Sequence, residues 1–176
     1  MPEFVFGLPI HPLAVHATVV LVPLAALALL AHVLLPAARR RLGIVTPVLA
    51  VVALVLVPIS TQSGEQLQHR LPQSGLVEQH AQLADGMLPW TLALAGMAVA
   101  VYALDRVRAR AGAGGVDTGS GGWATRRAVG LVATVLAVVA VVGLTQQVIR
   151  VGHSGATATW SEVSSTSSPS GGSDGD

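Results

Sequence analysis

The side chains in this sequence that are best able to do chemistry are its histidines. The chain has six of them among 176 residues, and it has no cysteine. Neutral imidazole is a common ligand of metal ions, and it accepts a proton near neutral pH. Because cysteine is absent, disulfides, thiolate metal sites and iron–sulfur clusters are excluded. Histidine, carboxylate and methionine remain as candidate ligands.

Membrane-spanning helices must position these histidines. Hydrophobic residues make up 52% of the chain and charged residues only 11%. Four apolar stretches approach or exceed the roughly 18–20 residues that cross a hydrocarbon core of about 30 Å. They cover residues 13–38, 42–60, 87–104 and 128–146. We therefore predict an all-α fold, an integral membrane four-helix bundle over residues 1–160, followed by a disordered polar tail at 161–176.

Arginine placement predicts how the chain crosses the membrane. All ten basic residues are arginine, and eight of them fall in the segments 39–41 and 106–127. By the positive-inside rule these two loops are cytoplasmic, so both termini and the loop 61–86 are outside. Residues 1–10 lack the basic start of a signal peptide, so we expect the first stretch to be a permanent span. This pattern indicates a multi-pass membrane protein, with the lipid bilayer as its main partner and no nucleic acid.

With this topology, most of the histidines gather at one membrane face. One histidine, His32, lies toward the cytoplasm, about 24 Å along the first helix from His16, and we expect it to have an interfacial, structural role. The other five are predicted on or near the outer side: His11, His16, His69, His80 and His153. Ionisable groups in membrane spans are costly and often functional. The outer histidines are therefore the candidate site.

Helix geometry separates the two histidines of the segment HPLAVH. Five residues rotate a side chain by about 140° net, so His11 and His16 do not point the same way from a regular helix. We expect His16 to face the bundle interior and His11 to stand at the helix mouth as a further candidate ligand.

Three histidines from distant parts of the chain are predicted to meet at the outer end of the bundle. His16 comes from the first span, His80 from the run into the third, and His153 from a turn between glycines after the fourth. Together they could hold a divalent metal ion with an open position, or two of them could clasp a haem b. Glu65 is an additional candidate metal ligand. We identify no catalytic motif, because Gly152 to Gly155 lacks the spacing and the preceding strand of a nucleophile elbow.

The motifs at the two ends of the chain resemble a known family. They are G-L-P-x-H-P-L-x-V-H before the first span, T-x-S-G after the second, a histidine leading into the third, and G-H-x-G followed by an aromatic after the fourth. Over roughly residues 5–160 the chain resembles the bacterial membrane family of domain of unknown function 2231. The resemblance implies a four-helix inner-membrane protein, and relatives joined to Rieske or cytochrome-type modules imply redox surroundings. The family pattern corresponds here to His11, His16, Gly64, His80, His153 and Gly155.

Three classes of function remain open from the sequence. The first is a membrane module that binds haem b or a metal ion, serves electron transfer and has a redox or other membrane-protein partner. The second is a structural or assembly subunit without a cofactor, in which the histidines only form hydrogen bonds. The third is a small transporter, which the absence of ionisable side chains from the middles of the predicted spans disfavours.

Overall fold

The computed structural model describes residues 4–5, 8–69, 74–113 and 121–166. In this part of the chain a short antiparallel β-hairpin precedes six helices. The hairpin consists of β1 (Phe4–Val5) and β2 (Leu8–Pro9). The helices are α1 (Ile10–Leu34), α2 (Pro36–Leu42), α3 (Val45–Gln68), α4 (Gly75–Asp85), α5 (Met87–Ala113) and α6 (Gly121–Thr166).

Within the described residues, four helical segments are long and apolar enough to cross a membrane. They are Ile10–Leu34, Val45–Gln68, Gly75–Gly112 and Ala124–Trp160. Contacts of α1 with α3 and α6, and of α5 with α3 and α6, join them into one bundle. The predicted all-α four-helix architecture is thereby confirmed, with the two-residue strands as a small addition at the N-terminus.

Small side chains form the centre of the bundle. Ala25, Ala50, Ala53 and Ala137 are fully buried, and residues of this size allow helices to approach closely. The outer surface of the bundle is apolar as well, with large side chains such as Val20, Leu27 and Leu131 exposed. Because water would disfavour so much exposed apolar surface, this surface suits lipid.

The two ends of the bundle differ in chemistry. We call the end where α1 begins and α3 ends the histidine end, and the opposite end the arginine end. At the arginine end Leu35 is extended (φ −116°, ψ 109°), as is usual before a proline, and α2 begins at Pro36. Gly43 has a φ of 42°, a value that favours glycine, and it links α2 to α3. The predicted first span, 13–38, is therefore interrupted by this break.

Helical structure extends beyond the predicted spans at the histidine end. Of the predicted loop 61–86, residues up to Gln68 belong to α3, and Gly75–Asp85 form α4. The side chain of Ser74 caps α4 by accepting a hydrogen bond from the Val77 amide at 3.3 Å. Helix α4 packs against α6.

A single long helix replaces the turn that we predicted around His153. Helix α6 contains 46 residues and is about 69 Å long, more than twice the thickness of a hydrocarbon core. Gly152 and Gly155 lie inside it, although each glycine costs a helix about 1 kcal/mol relative to alanine. The helix continues to Thr166, and the rest of the predicted polar tail, 167–176, lies outside the described residues.

Candidate functional site

A cavity of about 570 Å³ lies at the histidine end of the bundle. Side chains of α1, α3, α4 and α6 line it, together with Met87 at the start of α5. Most of the lining is apolar, as at Val15, Val57 and Val148. Two histidines, His11 and His80, interrupt this apolar surface. The structure therefore brings together one histidine from the start of α1 and one from the middle of α4.

Hydrogen bonds to α3 hold the His11 ring. Its Nδ1 lies 3.2 Å from the Ser60 carbonyl oxygen and 3.2 Å from the Ser63 hydroxyl. The Ser63 hydroxyl donates its proton to the Ser60 carbonyl at 2.9 Å. Both oxygens can therefore only accept from the ring, because a carbonyl has no proton and the serine proton is already used. His11 must donate from Nδ1.

The same arrangement holds His80 against α6. Its Nδ1 lies 3.0 Å from the Ser154 hydroxyl, and that hydroxyl donates to the Val151 carbonyl at 2.9 Å. Ser154 can therefore only accept from the ring, so His80 also donates from Nδ1.

A glycine beside each serine makes room for the imidazole. A Cβ placed on Gly64 would lie 2.9 Å from Cε1 of His11, and a Cβ on Gly155 would lie 3.0 Å from Cε1 of His80. Carbon atoms in contact are normally about 3.5–4.0 Å apart. The two rings thus occupy space that the side chain of any residue other than glycine would fill at positions 64 and 155.

Both cavity histidines consequently have the tautomer of a metal or haem ligand. A neutral imidazole that carries its proton on Nδ1 has its lone pair on Nε2. In metalloproteins the ring nitrogen that does not bind the metal usually donates to a carbonyl, a carboxylate or water, and this bond fixes the ring orientation. Serine hydroxyls fill that role for His11 and His80.

The other two histidines of the predicted site lie apart from the cavity. His16 is exposed on α1, and its Nδ1 donates to the Pro12 carbonyl at 2.6 Å. His153 is exposed on α6. Neither side chain lines the cavity, whereas Glu65 and Asp85 do line it, as exposed residues. Among the described residues, no group of three or more His, Asp or Glu side chains is placed to hold a metal ion.

A buried polar cluster at the arginine end was not anticipated from the sequence. His32 is 1% exposed, and its Nε2 donates to the Asp105 carboxylate at 2.9 Å. Its Nδ1 lies 3.1 Å from the Thr46 hydroxyl. Arg39 approaches the same carboxylate at 3.5 Å and the His32 carbonyl at 3.4 Å. Both nitrogens of the His32 ring are engaged, so this ring has no lone pair to offer a ligand.

One sequence signal could have indicated this cluster. Asp105 is an acidic residue directly beside the arginines at the end of its span, and His32 lies at the corresponding end of α1. Two ionisable groups at the same depth in a membrane bundle tend to pair. The cluster connects α1, α2, α3 and α5, and its hydrogen bonds indicate a structural role.

Comparison with known proteins identifies the family but not an activity. No curated protein and no solved structure matches the chain significantly. A family model described as "Predicted membrane protein (DUF2231)" matches residues 7–167. That range includes all four apolar helices and both cavity histidines. The chain belongs to this family of predicted membrane proteins, DUF2231.

Proposed function

We propose that the cavity binds a haem b through Nε2 of His11 and Nε2 of His80, and that the protein takes part in electron transfer. The observation that carries this proposal is the matched hydrogen bonding of two histidine rings beside one cavity. Each Nδ1 donates to a serine hydroxyl whose own proton is already used. Each Nε2 therefore has the lone pair that an axial ligand of haem iron requires.

Several features favour haem over a bare metal ion. A metal ion would need three or more protein ligands, and the described residues contain no such group of His, Asp or Glu. Haem iron needs only axial ligands from the protein, and two histidines supply them. The volume of about 570 Å³ lies within the roughly 300–1,000 Å³ that is usual for ligand sites. When bound, the haem would supply one-electron redox chemistry.

The roles predicted for the remaining outer residues carry less support. A divalent metal ion held by His16, His80 and His153, with Glu65 as a further ligand, stays a prediction. Exposure of His16 and His153 outside the cavity lining does not favour it. Their positions make these two histidines suitable controls for the proposed haem site.

The arginines support one orientation of the chain. Exposed Arg40 and Arg41 lie at the end of the bundle opposite the cavity, as does Arg106. We propose that this end, with the segments 39–41 and 106–127, is cytoplasmic and that both termini are outside, in a bacterial inner membrane. A redox partner would then reach the cavity from the outer side.

A structural or assembly subunit without a cofactor is the second candidate function. The hydrogen bonds of His11 and His80 join α1 to α3 and α4 to α6, and such bonds need no ligand. A transporter is less well supported. Buried apolar residues, among them Val22, Leu29 and Leu94, separate the cavity from the His32 cluster, so the core between them offers no ionisable path.

Haem titration of the purified protein in a mild detergent tests the proposal. We expect one haem per chain, with a shift of the Soret band, and we expect His11→Ala and His80→Ala each to weaken binding by about 100-fold or more. Removing a residue that only hydrogen-bonds a metal ligand weakens metal binding by up to about 100-fold, and losing the ligand itself should weaken it at least as much. His16→Ala and His153→Ala are the matched controls and should bind like the unaltered protein. Haem binding that survives the double change of His11 and His80 would refute the assignment, and an unaltered protein that binds no haem would favour the structural subunit.

A further inference from the structure

Two serine–glycine pairs hold the cavity histidines in the same way. We call each pair, with the backbone carbonyl three residues before the serine, a histidine cradle. The first cradle contains Ser63 and Gly64 of α3 and holds His11. The second contains Ser154 and Gly155 of α6 and holds His80. In both cradles the serine hydroxyl donates to the preceding carbonyl at 2.9 Å.

The two cradles have corresponding places in the two halves of the bundle, of which the first comprises α1 to α3 and the second α4 to α6. The first half presents its histidine on α1 and its cradle near the end of α3, while the second presents its histidine on α4 and its cradle on α6. Histidine and serine are 52 residues apart in the first half and 74 residues apart in the second. Because these separations differ, the correspondence does not appear as a repeat of fixed period in the sequence.

We infer that Ser63 and Ser154 are matched positioning residues, which hold His11 and His80 with the proton on Nδ1 and the lone pair on Nε2. Without Ser154, the His80 imidazole can carry its proton on either nitrogen, and rotation about its broad χ2 torsion becomes easier. Without Ser63, the His11 ring loses one of its two acceptors and keeps the Ser60 carbonyl at 3.2 Å. The serines thereby fix both the direction and the basicity of the ligand atoms. This inference rests on the proposed haem site for its purpose, but the tautomer itself can be measured without haem.

Imidazole nitrogen NMR spectra of the haem-free protein, labelled with ¹⁵N-histidine, test the inference directly. In the unaltered protein His11 and His80 should both show a protonated Nδ1, with their signals assigned from the His11→Ala and His80→Ala spectra. In Ser154→Ala the His80 signals should move toward a mixture of tautomers while those of His11 stay in place. Ser63→Ala should leave the His80 signals in place and move the His11 signals less, because the Ser60 carbonyl, 3.2 Å from Nδ1 of His11, still accepts its proton.

Two further variants separate positioning from general damage to the fold. Ser154→Thr retains a hydroxyl that can bond the carbonyl one turn before it, so it should restore the His80 signals. Thr157→Ala is the matched control, because its hydroxyl donates to the His153 carbonyl at 3.0 Å on the same helix and makes no bond to His80. The inference is overturned if His80 keeps its Nδ1 proton in Ser154→Ala, or if Thr157→Ala changes the His80 signals equally.

Haem titration of the same variants distinguishes this inference from the proposed function. Loss of the hydrogen bond to the ring nitrogen that does not bind the metal typically weakens binding by about 10–100-fold. We expect this loss for Ser154→Ala and a smaller loss for Ser63→Ala, in which the Ser60 carbonyl still accepts from Nδ1 of His11. If the unaltered protein binds no haem while the tautomers depend on the serines, the haem proposal fails and the serine role stands. If haem binds equally to all variants and the tautomers do not change, the serine role fails alone.

Discussion

Replacement of Gly64 by alanine should show how closely the His11 ring packs against α3. The added Cβ would lie 2.9 Å from Cε1 of the ring, whereas carbon atoms in contact are normally at least about 3.5 Å apart. The ring or the helix must therefore move by about 0.6 Å. Because the ring is held by hydrogen bonds to Ser60 and Ser63, this movement strains both bonds.

The expected loss of stability follows from two opposing terms. Overpacking of a well-packed site typically costs about 1–3 kcal/mol, while a change from glycine to alanine inside a helix contributes up to about 1 kcal/mol of stabilisation. Gly64→Ala should thus lower the free energy of unfolding by about 0–2 kcal/mol. Gly152→Ala is the control, because a Cβ there has no atom within 4 Å, and it should raise that free energy by up to about 1 kcal/mol.

Unfolding by SDS titration in mixed micelles, followed by circular dichroism, measures this difference. We expect Gly64→Ala to be less stable than Gly152→Ala by about 1–3 kcal/mol. Gly155→Ala, with a Cβ distance of 3.0 Å to the His80 ring, should show a smaller deficit. If Gly64→Ala stabilises the protein as much as Gly152→Ala does, the His11 ring does not pack against this glycine and the cradle geometry is incorrect.

Three further changes test other parts of the structure. Gly143→Ala should destabilise the protein by about 3 kcal/mol, the upper end for overpacking, because the new Cβ would overlap the Trp90 ring; thermal unfolding equal to that of the unaltered protein would argue against this packing. Asp105→Ala leaves buried His32 without its acceptor and should lower the free energy of unfolding by about 1–3 kcal/mol, as measured by the same SDS titration. An unchanged unfolding midpoint would show that the His32–Asp105 pair does not stabilise the protein. Because the chain has no cysteine, single introduced cysteines report its orientation in the membrane. A membrane-impermeant maleimide should label a cysteine at the N-terminus in intact cells, and it should label Asp117→Cys only after permeabilisation. The reverse labelling pattern would invert the proposed topology.

The bundle was predictable from the sequence because apolar length decides it. A run of some twenty apolar residues has few alternatives to a membrane-spanning helix, and four such runs predict the four long helices that are observed. The ends of the helices were less predictable. Glycines 152 and 155 indicated a turn, yet α6 continues through both. Gly155 instead leaves space for the His80 imidazole of another helix.

The partners of the histidines depend on tertiary contacts that a single sequence does not record. His11 and His80 were both candidates, but only the packing of α1 on α3 and of α4 on α6 places each beside a serine. His16 looked better placed than His11 because it lies deeper in the span, yet its side chain is exposed. His32 pairs with Asp105 across 73 residues of chain, a separation at which local patterns carry no information.

The absorption spectrum of the protein, purified from cells supplied with haem, is the most direct test of the central claim. We predict a stoichiometric haem with the sharp bands of iron held by two histidines, present in His16→Ala and lost in both His11→Ala and His80→Ala. A colourless preparation would contradict the account, as would a haem spectrum that the loss of these two imidazoles leaves unchanged.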